Sequence, residues 1–114
     1  AVFARRVFGP AEQAALGLPL AEEEGTARRT AHTVASAAAD FAAKEAFLKA
    51  AGTGLREPFS LCEIEAVRLP GGAPAYHFSG RSAQWVEARR LRAHLSLSHE
   101  DGMAMAYCIL ETET

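Results

Sequence analysis

The sequence predicts an α+β domain in which antiparallel strands pack against one long helix. Three observations carry that expectation. The first half of the chain is alanine-rich with helical spacing and runs out at Gly52 and Gly54. Beyond those glycines the apolar residues shift toward alternation, interrupted by the turn clusters Pro70-Gly-Gly-Ala-Pro74 and Glu100-Asp-Gly102. The length, 114 residues, suits one compact domain but not two.

In order, Ala1 to Phe8 sets Val2, Phe3, Val7 and Phe8 around Arg5 and Arg6. It reads as the end of a helix stopped by Gly9-Pro10, because proline disfavours helix in the residue before it. Pro10 to Leu16 is a short helix with proline in its first turn and Gly17 at its end. Leu18 to Gly25 is a solvated loop with an acidic run. Thr26 or Thr30 caps the long helix, which ends near Ala51 and draws intrinsic stability from its alanines. On that helix Val34, Ala38, Phe41, Glu45 and Leu48 share one stripe, the spacing of a face turned to the core. Lys44 lies just off it.

Past the glycines, Leu61 to Leu69 reads as a strand of roughly eight residues, and Ala75 to Ser79 as its return. Arg81 to Arg92 is a second helix, with Ser79 or Ser82 as cap. Ala83, Val86 and Leu91 form its inner face, and Arg81, Arg89, Arg90 and Arg92 a basic surface. From His94 to Ser98 the residues alternate, so Leu95 and Leu97 point one way and His94, Ser96 and Ser98 the other. Glu100-Asp-Gly102 is a hairpin turn, and Met103 to Leu110 a buried strand.

Composition excludes several classes. Hydrophobic residues at 49% with 23% charged are ordinary for a globular protein. A net charge of -2 argues against general nucleic-acid binding. No apolar run approaches the roughly 20 residues that span a bilayer, and the start shows no signal-peptide pattern. Cys62 and Cys108 sit in apolar contexts and read as free thiols of a reducing, cytoplasmic setting. Their separation makes a poor zinc signature.

Two constellations carry chemistry. Glu45 has Lys49 four residues on, within helical pairing distance. That spacing fits either a satisfied ion pair or a carboxylate ligand for a divalent cation, with Lys44 and Lys49 supplying charge to a phosphorylated substrate. The His94, Ser96 and Ser98 row is either the wet side of a half-buried sheet or a functional row that binds phosphate through the hydroxyls or uses His94 as a base near neutral pH. Ser96 and Ser98 lack a nucleophile-elbow context, and no acid is obviously placed to orient a histidine. The loop Gly52-Thr53-Gly54 follows a helix rather than opening one, so it is no P-loop. It can still offer backbone N–H groups to an anion.

Phe41-Ala-Ala-Lys-Glu-Ala-Phe-Leu-Lys-Ala-Ala-Gly-Thr-Gly54 resembles the signature of the small, single-copy holo-[acyl-carrier-protein] synthase type of 4′-phosphopantetheinyl transferase. His94-Leu-Ser-Leu-Ser-His99 with its turn and apolar strand is similar to that family's closing hairpin. Phe3-Ala-Arg-Arg-Val-Phe with Glu12 resembles the segment after its first helix, and Gly72-Ala-Pro74 its Gly-Lys-Pro turn.

The resemblance implies a transferase that moves the 4′-phosphopantetheine group of coenzyme A to a serine of an apo acyl carrier protein and releases 3′,5′-ADP. Carriers of fatty-acid and of polyketide synthesis both fit. By this resemblance Glu45 is the Mg2+ ligand and, with Lys49, catalytic. Lys44, Lys49, Gly52, Thr53, Gly54, Gly72, Pro74, His94, Ser96, Ser98 and His99 line coenzyme A, the two lysines through its phosphates. A homotrimer with interfacial sites follows, because one copy of the domain cannot build the site alone. Residues 1–114 are then one transferase-like domain lacking its N-terminal strand, the expected home of a second metal-binding aspartate. Asp40 stands where many members carry arginine, and Ala73 where the turn usually carries lysine. The alternative is a non-catalytic homologue or a structural domain of a larger synthase that binds coenzyme A without turnover.

Overall fold

The computed structural model describes residues 6–17 and 27–113. The expected loop over 18–25, the Thr26 cap, Val2 and Phe3 lie outside the described residues. Arg6 and Val7 are helical, and the helices α1 (Pro10–Leu16) and α2 (Ala27–Ala51) follow. After a single 3-10 turn, Leu61–Glu63, follow β1 (Ile64–Arg68), β2 (Pro74–Phe78), α3 (Gly80–Ala88), β3 (Leu91–Glu100) and β4 (Met103–Thr112). Strands β1 and β2 pair antiparallel with Ile64 opposite Phe78, and β3 and β4 pair antiparallel with Leu91 opposite Thr112. Helix α2 packs on β4, β3 and β1, so the long helix lies against both hairpins. The α+β architecture is the expected one.

Local chemistry explains the boundaries. Gly17 closes α1 in the left-handed conformation (φ 74°) that glycine adopts without a Cβ clash. Asp101 and Gly102 both have positive φ (49° and 75°), as a two-residue hairpin turn of matching twist requires. Helix α3 is shorter than Arg81–Arg92. The chain turns left-handed at Arg90 (φ 53°), and Leu91 opens β3 and packs on the core instead of lining a helix. Nor does Ser79 cap α3 through its side chain. Glu63 does so from the 3-10 turn, its Oε1 accepting from the Ser82 N–H (3.1 Å) and hydroxyl (3.0 Å). That long-range acceptor satisfies the helix start that no local residue serves. Leu61 to Glu63 is likewise a turn rather than the head of a strand.

The core centres on Phe47, which is fully buried. Its ring meets Phe78 at 4.9 Å, Phe59 at 5.5 Å, Tyr76 at 5.9 Å and Trp85 at 6.4 Å between centroids. These are the tilted and edge-on arrangements that aromatic quadrupoles favour. Ile64, Leu48 and Val86 complete it. The inner face of α2 is therefore Ala39, Ala43 and Phe47 flanked by Asp40, Lys44 and Leu48. The expected stripe is rotated away from it: Val34 is 62% exposed, Phe41 37%, and Glu45 exposed, leaving Leu48 as its one large apolar residue in the core. A helix with alanine on every side has a nearly uniform apolar pattern, so position is decided by where the largest ring finds room. Strand β4 also differs from the expected buried strand. Its residues alternate, with Ala104, Ala106, Cys108 and Leu110 inward and Met103, Met105, Tyr107 and Ile109 exposed.

A charged cluster is buried between α1, α2 and β1. Lys44 and Glu12 are almost wholly inaccessible and pair at 2.5 Å. Glu12 Oε1 also accepts from the Gly9 N–H (3.0 Å) and Oε2 from the Ala66 N–H (2.8 Å). Glu65 Oε2 accepts from the Glu12 N–H at the start of α1 (2.9 Å). Gly9 is required here, since a Cβ would collide with the Glu65 side chain and the Cys62 carbonyl. Burial lowers Lys44 from the ordinary lysine value while Glu12 pulls it back, and burial raises Glu12 against the attraction of Lys44. Asp40, 5% exposed, is pushed up to about 7, first by burial and then by Glu12, with Arg68 and Lys44 opposing.

Two outcomes test this interior. Phe47→Ala is expected to lose about 3–5 kcal/mol in urea unfolding, whereas Lys49→Ala changes stability by about 0.5 kcal/mol or less. Asp40 holds a proton in the folded chain that the unfolded chain has lost between about pH 4 and pH 7. Its contribution therefore falls as pH rises through that window. Melting curves should show Asp40→Asn gaining on the parent from pH 4 to 7 and levelling beyond, and a pH-independent difference would contradict the assignment.

Candidate active site

The last turns of α2 and the loop after it form a shallow groove of about 190 Å³, lined by Phe41, Glu45, Leu48, Lys49, Gly54, Leu55 and Leu61. Glu45 and Lys49 lie one helical turn apart on its wall and are both exposed. No ion pair joins them; the ion pairs among the described residues are elsewhere. The satisfied-pair reading of their spacing therefore falls away. A carboxylate and an ammonium that do not neutralise each other remain available to an incoming ligand.

Gly52 ends α2 in the left-handed region (φ 79°), its N–H donating to the Leu48 and Lys49 carbonyls at 3.1 Å each. That N–H is thus engaged by the helix end and is not free for an anion. Gly54 is also left-handed (φ 65°), and neither glycine has an atom within 4 Å of a built Cβ. The loop stands open. Thr53 Oγ1 donates to the Gly54 carbonyl (2.9 Å), and the Arg56 N–H donates to the same oxygen (3.0 Å).

Lys44 is the correction. Expected at the phosphates, it is instead buried in the cluster beneath the groove, because its neighbours Ala43 and Phe47 turn that side of α2 inward. Its amine donates to Glu12 and to the Leu61 and Ile64 carbonyls (3.1 and 2.6 Å).

The polar row of β3 is where alternation placed it: His94, Ser96 and Ser98 are exposed, opposite Ile109, Tyr107 and Met105 of β4. Directly opposed residues share a face, so hydroxyls and imidazole run alongside an apolar stripe. His94 is oriented after all. Its Nε2 lies 2.7 Å from Glu111 Oε1, and the imidazole holds that carboxyl below the usual range. Counting back from the Asp101-Gly102 turn would have placed Glu111 diagonal to His94, a signal available in the sequence. Glu12, by contrast, is 32 residues from Lys44, and no local pattern links them.

The structure brings Glu45, Lys49 and Gly54 together. It does not bring His94, Ser96, Ser98 or His99 into that groove, nor the exposed Gly72 (φ 93°) of the turn and the half-buried Pro74 that opens β2. A larger cavity of about 580 Å³ between α1, α2 and β1 has Asp40, Ser36 and Arg68 on its wall and none of the expected site residues. For a divalent cation, no group of three His, Cys, Asp or Glu side chains converges among the described residues. Glu45 alone fits one carboxylate position of a magnesium ion whose other ligands are waters and substrate oxygens, the mode that ion prefers.

Known proteins are similar in sequence and fold. The sequence profile of the 4′-phosphopantetheinyl transferase superfamily matches residues 1–108. The chain is similar to the holo-[acyl-carrier-protein] synthase of Leptothrix cholodnii, 39% identical over 97% of this chain and 80% of that protein. The enzyme of the same name from Bordetella pertussis is 40% identical over 96% of this chain and 67% of its own length. Among solved structures, the holo-[acyl-carrier-protein] synthase of Neisseria meningitidis superimposes with a TM-score of 0.75 at 28% identity, covering 97% of this chain and 81% of that one. The Bacillus anthracis enzyme, solved with CoA (3′,5′-ADP), gives 0.68 at 29% identity over 98% and 82%. The open groove at the end of α2, its glutamate and lysine side by side, is thus set in a chain that belongs to the 4′-phosphopantetheinyl transferase superfamily.

Proposed function

We propose that this chain acts as a holo-[acyl-carrier-protein] synthase, transferring 4′-phosphopantetheine from coenzyme A to a serine of an acyl carrier protein. The observation that carries the reading is the exposed Glu45 and Lys49, with no ion pair among the described residues, on one groove wall in a chain of this family. The serine oxygen attacks the phosphorus bearing the pantetheine arm, the bond to the departing 3′,5′-ADP phosphate breaks, and the serine proton leaves to a base. Glu45 is the carboxylate that lines the groove and would receive that proton, directly or by way of a water. Lys49 places a cation against the pyrophosphate and can return a proton to the leaving phosphate. A magnesium ion on Glu45 would neutralise charge on the leaving group. Leu48, Leu55 and Leu61 give the groove an apolar wall beside these charges.

The nucleotide end needs anion contacts that the groove lacks. His94, Ser96 and Ser98, Gly72 and Pro74, and the open Thr53-Gly54 loop are the surfaces proposed for it. The loop already borders the groove, and the other surfaces join it when a second copy packs on the first. Val34, Phe41 and Leu55 on one surface and Met103, Met105, Tyr107 and Ile109 on the other are exposed apolar residues of the kind a subunit interface covers. A homotrimer with three interfacial sites is the closed arrangement proposed. The two free thiols suit a cytoplasmic setting.

Incubation with coenzyme A, magnesium and an apo carrier protein should add one phosphopantetheine mass to the carrier. Glu45→Gln is expected to slow that reaction about 100-fold or more, and an unchanged rate would remove Glu45 from the mechanism. Coenzyme A binding without any mass gain would favour the non-catalytic alternative. Light scattering at working concentration should report three chains per particle, whereas a monomer at full activity contradicts the interfacial site.

A further inference from the structure

We propose that Lys44 is a positioning residue for Glu45, holding it through the backbone rather than touching substrate. The proposal rests on the transferase reading above. An ammonium has three protons to give, and Lys44 gives them to Glu12, to the Leu61 carbonyl and to the Ile64 carbonyl. Its side chain has no exposure and its charge also lies 5.6 Å over the Phe8 ring. No proton is left for a phosphate and no path leads one there.

The three acceptors come from two other parts of the fold, α1 and the turn into β1. One amine therefore clamps α2 against both. Successive residues on a helix point about 100° apart, so fixing Lys44 inward directs Glu45 outward. Leu61 closes the link: its carbonyl accepts from Lys44 while its side chain lines the groove that Glu45 faces. The direction of the carboxylate and the opposite wall of its groove are thus set by one nitrogen. Glu12 is the remote partner, holding the amine while its other oxygen ties the β1 backbone at Ala66.

The double variant Glu12→Gln/Lys44→Met tests this, since it removes both charges together and keeps similar volume, a change that buried pairs often tolerate. The double variant should remain folded by circular dichroism and bind coenzyme A, by calorimetry, within about 3-fold of the parent. Its kcat should fall about 100-fold with KM for coenzyme A little changed, the signature of a displaced reacting group. A parental kcat would make Lys44 structural and overturn the proposal. So would coenzyme A affinity weakened about 10-fold with kcat retained, the pattern of a lost ground-state contact. Lys44→Met alone is the second variant should the double one not fold: Glu12 can then take up a proton and still accept from the Gly9 and Ala66 N–H groups. This variant should reduce kcat without changing coenzyme A affinity, and an unaltered kcat overturns the proposal. A parent that modifies no carrier overturns the transferase reading itself, whereas an active parent with unimpaired variants overturns this inference alone.

Discussion

The interaction on which the rest of the structure depends is the buried contact of Lys44 with Glu12. Two charges taken from water on opposite sides of a fold are stabilised only when every polar atom finds a partner, and here each does: no buried side-chain nitrogen or oxygen is left unsatisfied among the described residues. The reward is geometric rather than energetic. A buried ion pair adds little net stability over an apolar pair of the same size, but it tolerates one arrangement only. Rotating helix α2 about its axis would take Phe47 out of its aromatic pocket and Lys44 from its three acceptors. With α2 held as it is, the Phe47 ring finds its place among Phe59, Tyr76, Phe78 and Trp85, and the neighbouring Glu45 finds water.

This division explains what the sequence disclosed. The long helix, both hairpins, the turn at Asp101-Gly102 and the outward row of His94, Ser96 and Ser98 were legible, because they follow from local chemistry: glycine at positive φ, alternation in strands, helical spacing. The inner face of α2 was not. Val34, Ala38 and Phe41 satisfy the helical period as well as Ala39, Ala43 and Phe47 do, and only tertiary packing separates them. Lys44 and Glu45 show the same limit at higher stakes. A family signature names both residues, yet which one enters the core depends on Glu12 and on the Leu61 and Ile64 carbonyls, which lie far away in sequence. The length of α3 failed for a similar reason, since nothing in Arg89-Arg90-Leu91 announces the left-handed turn that lets Leu91 join the core.

Within one chain the proposed site residues lie on two separate surfaces. The carboxylate and lysine of the groove face one way, and the hydroxyls and imidazole of β3 run beside a stripe of exposed methionine, tyrosine and isoleucine on β4. A protein that exposes four large apolar side chains in a row on one strand is presenting a surface for something to cover, and a phosphorylated nucleotide needs more donors than Lys49 alone. Both needs are met at once if the β3–β4 surface of one copy closes over the groove of the next. In the proposed assembly the chemistry would act where two copies meet, with Glu45 from one and the β3 row from the other.

Amide hydrogen exchange with and without coenzyme A and magnesium tests that account most directly. It predicts protection of residues 45–55 and of residues 94–98 together, at the same coenzyme A concentration, because both surfaces close on one ligand. Protection at 45–55 with no change in β3, or protection centred on the cavity of Ala11, Asp40 and Arg68, would contradict it.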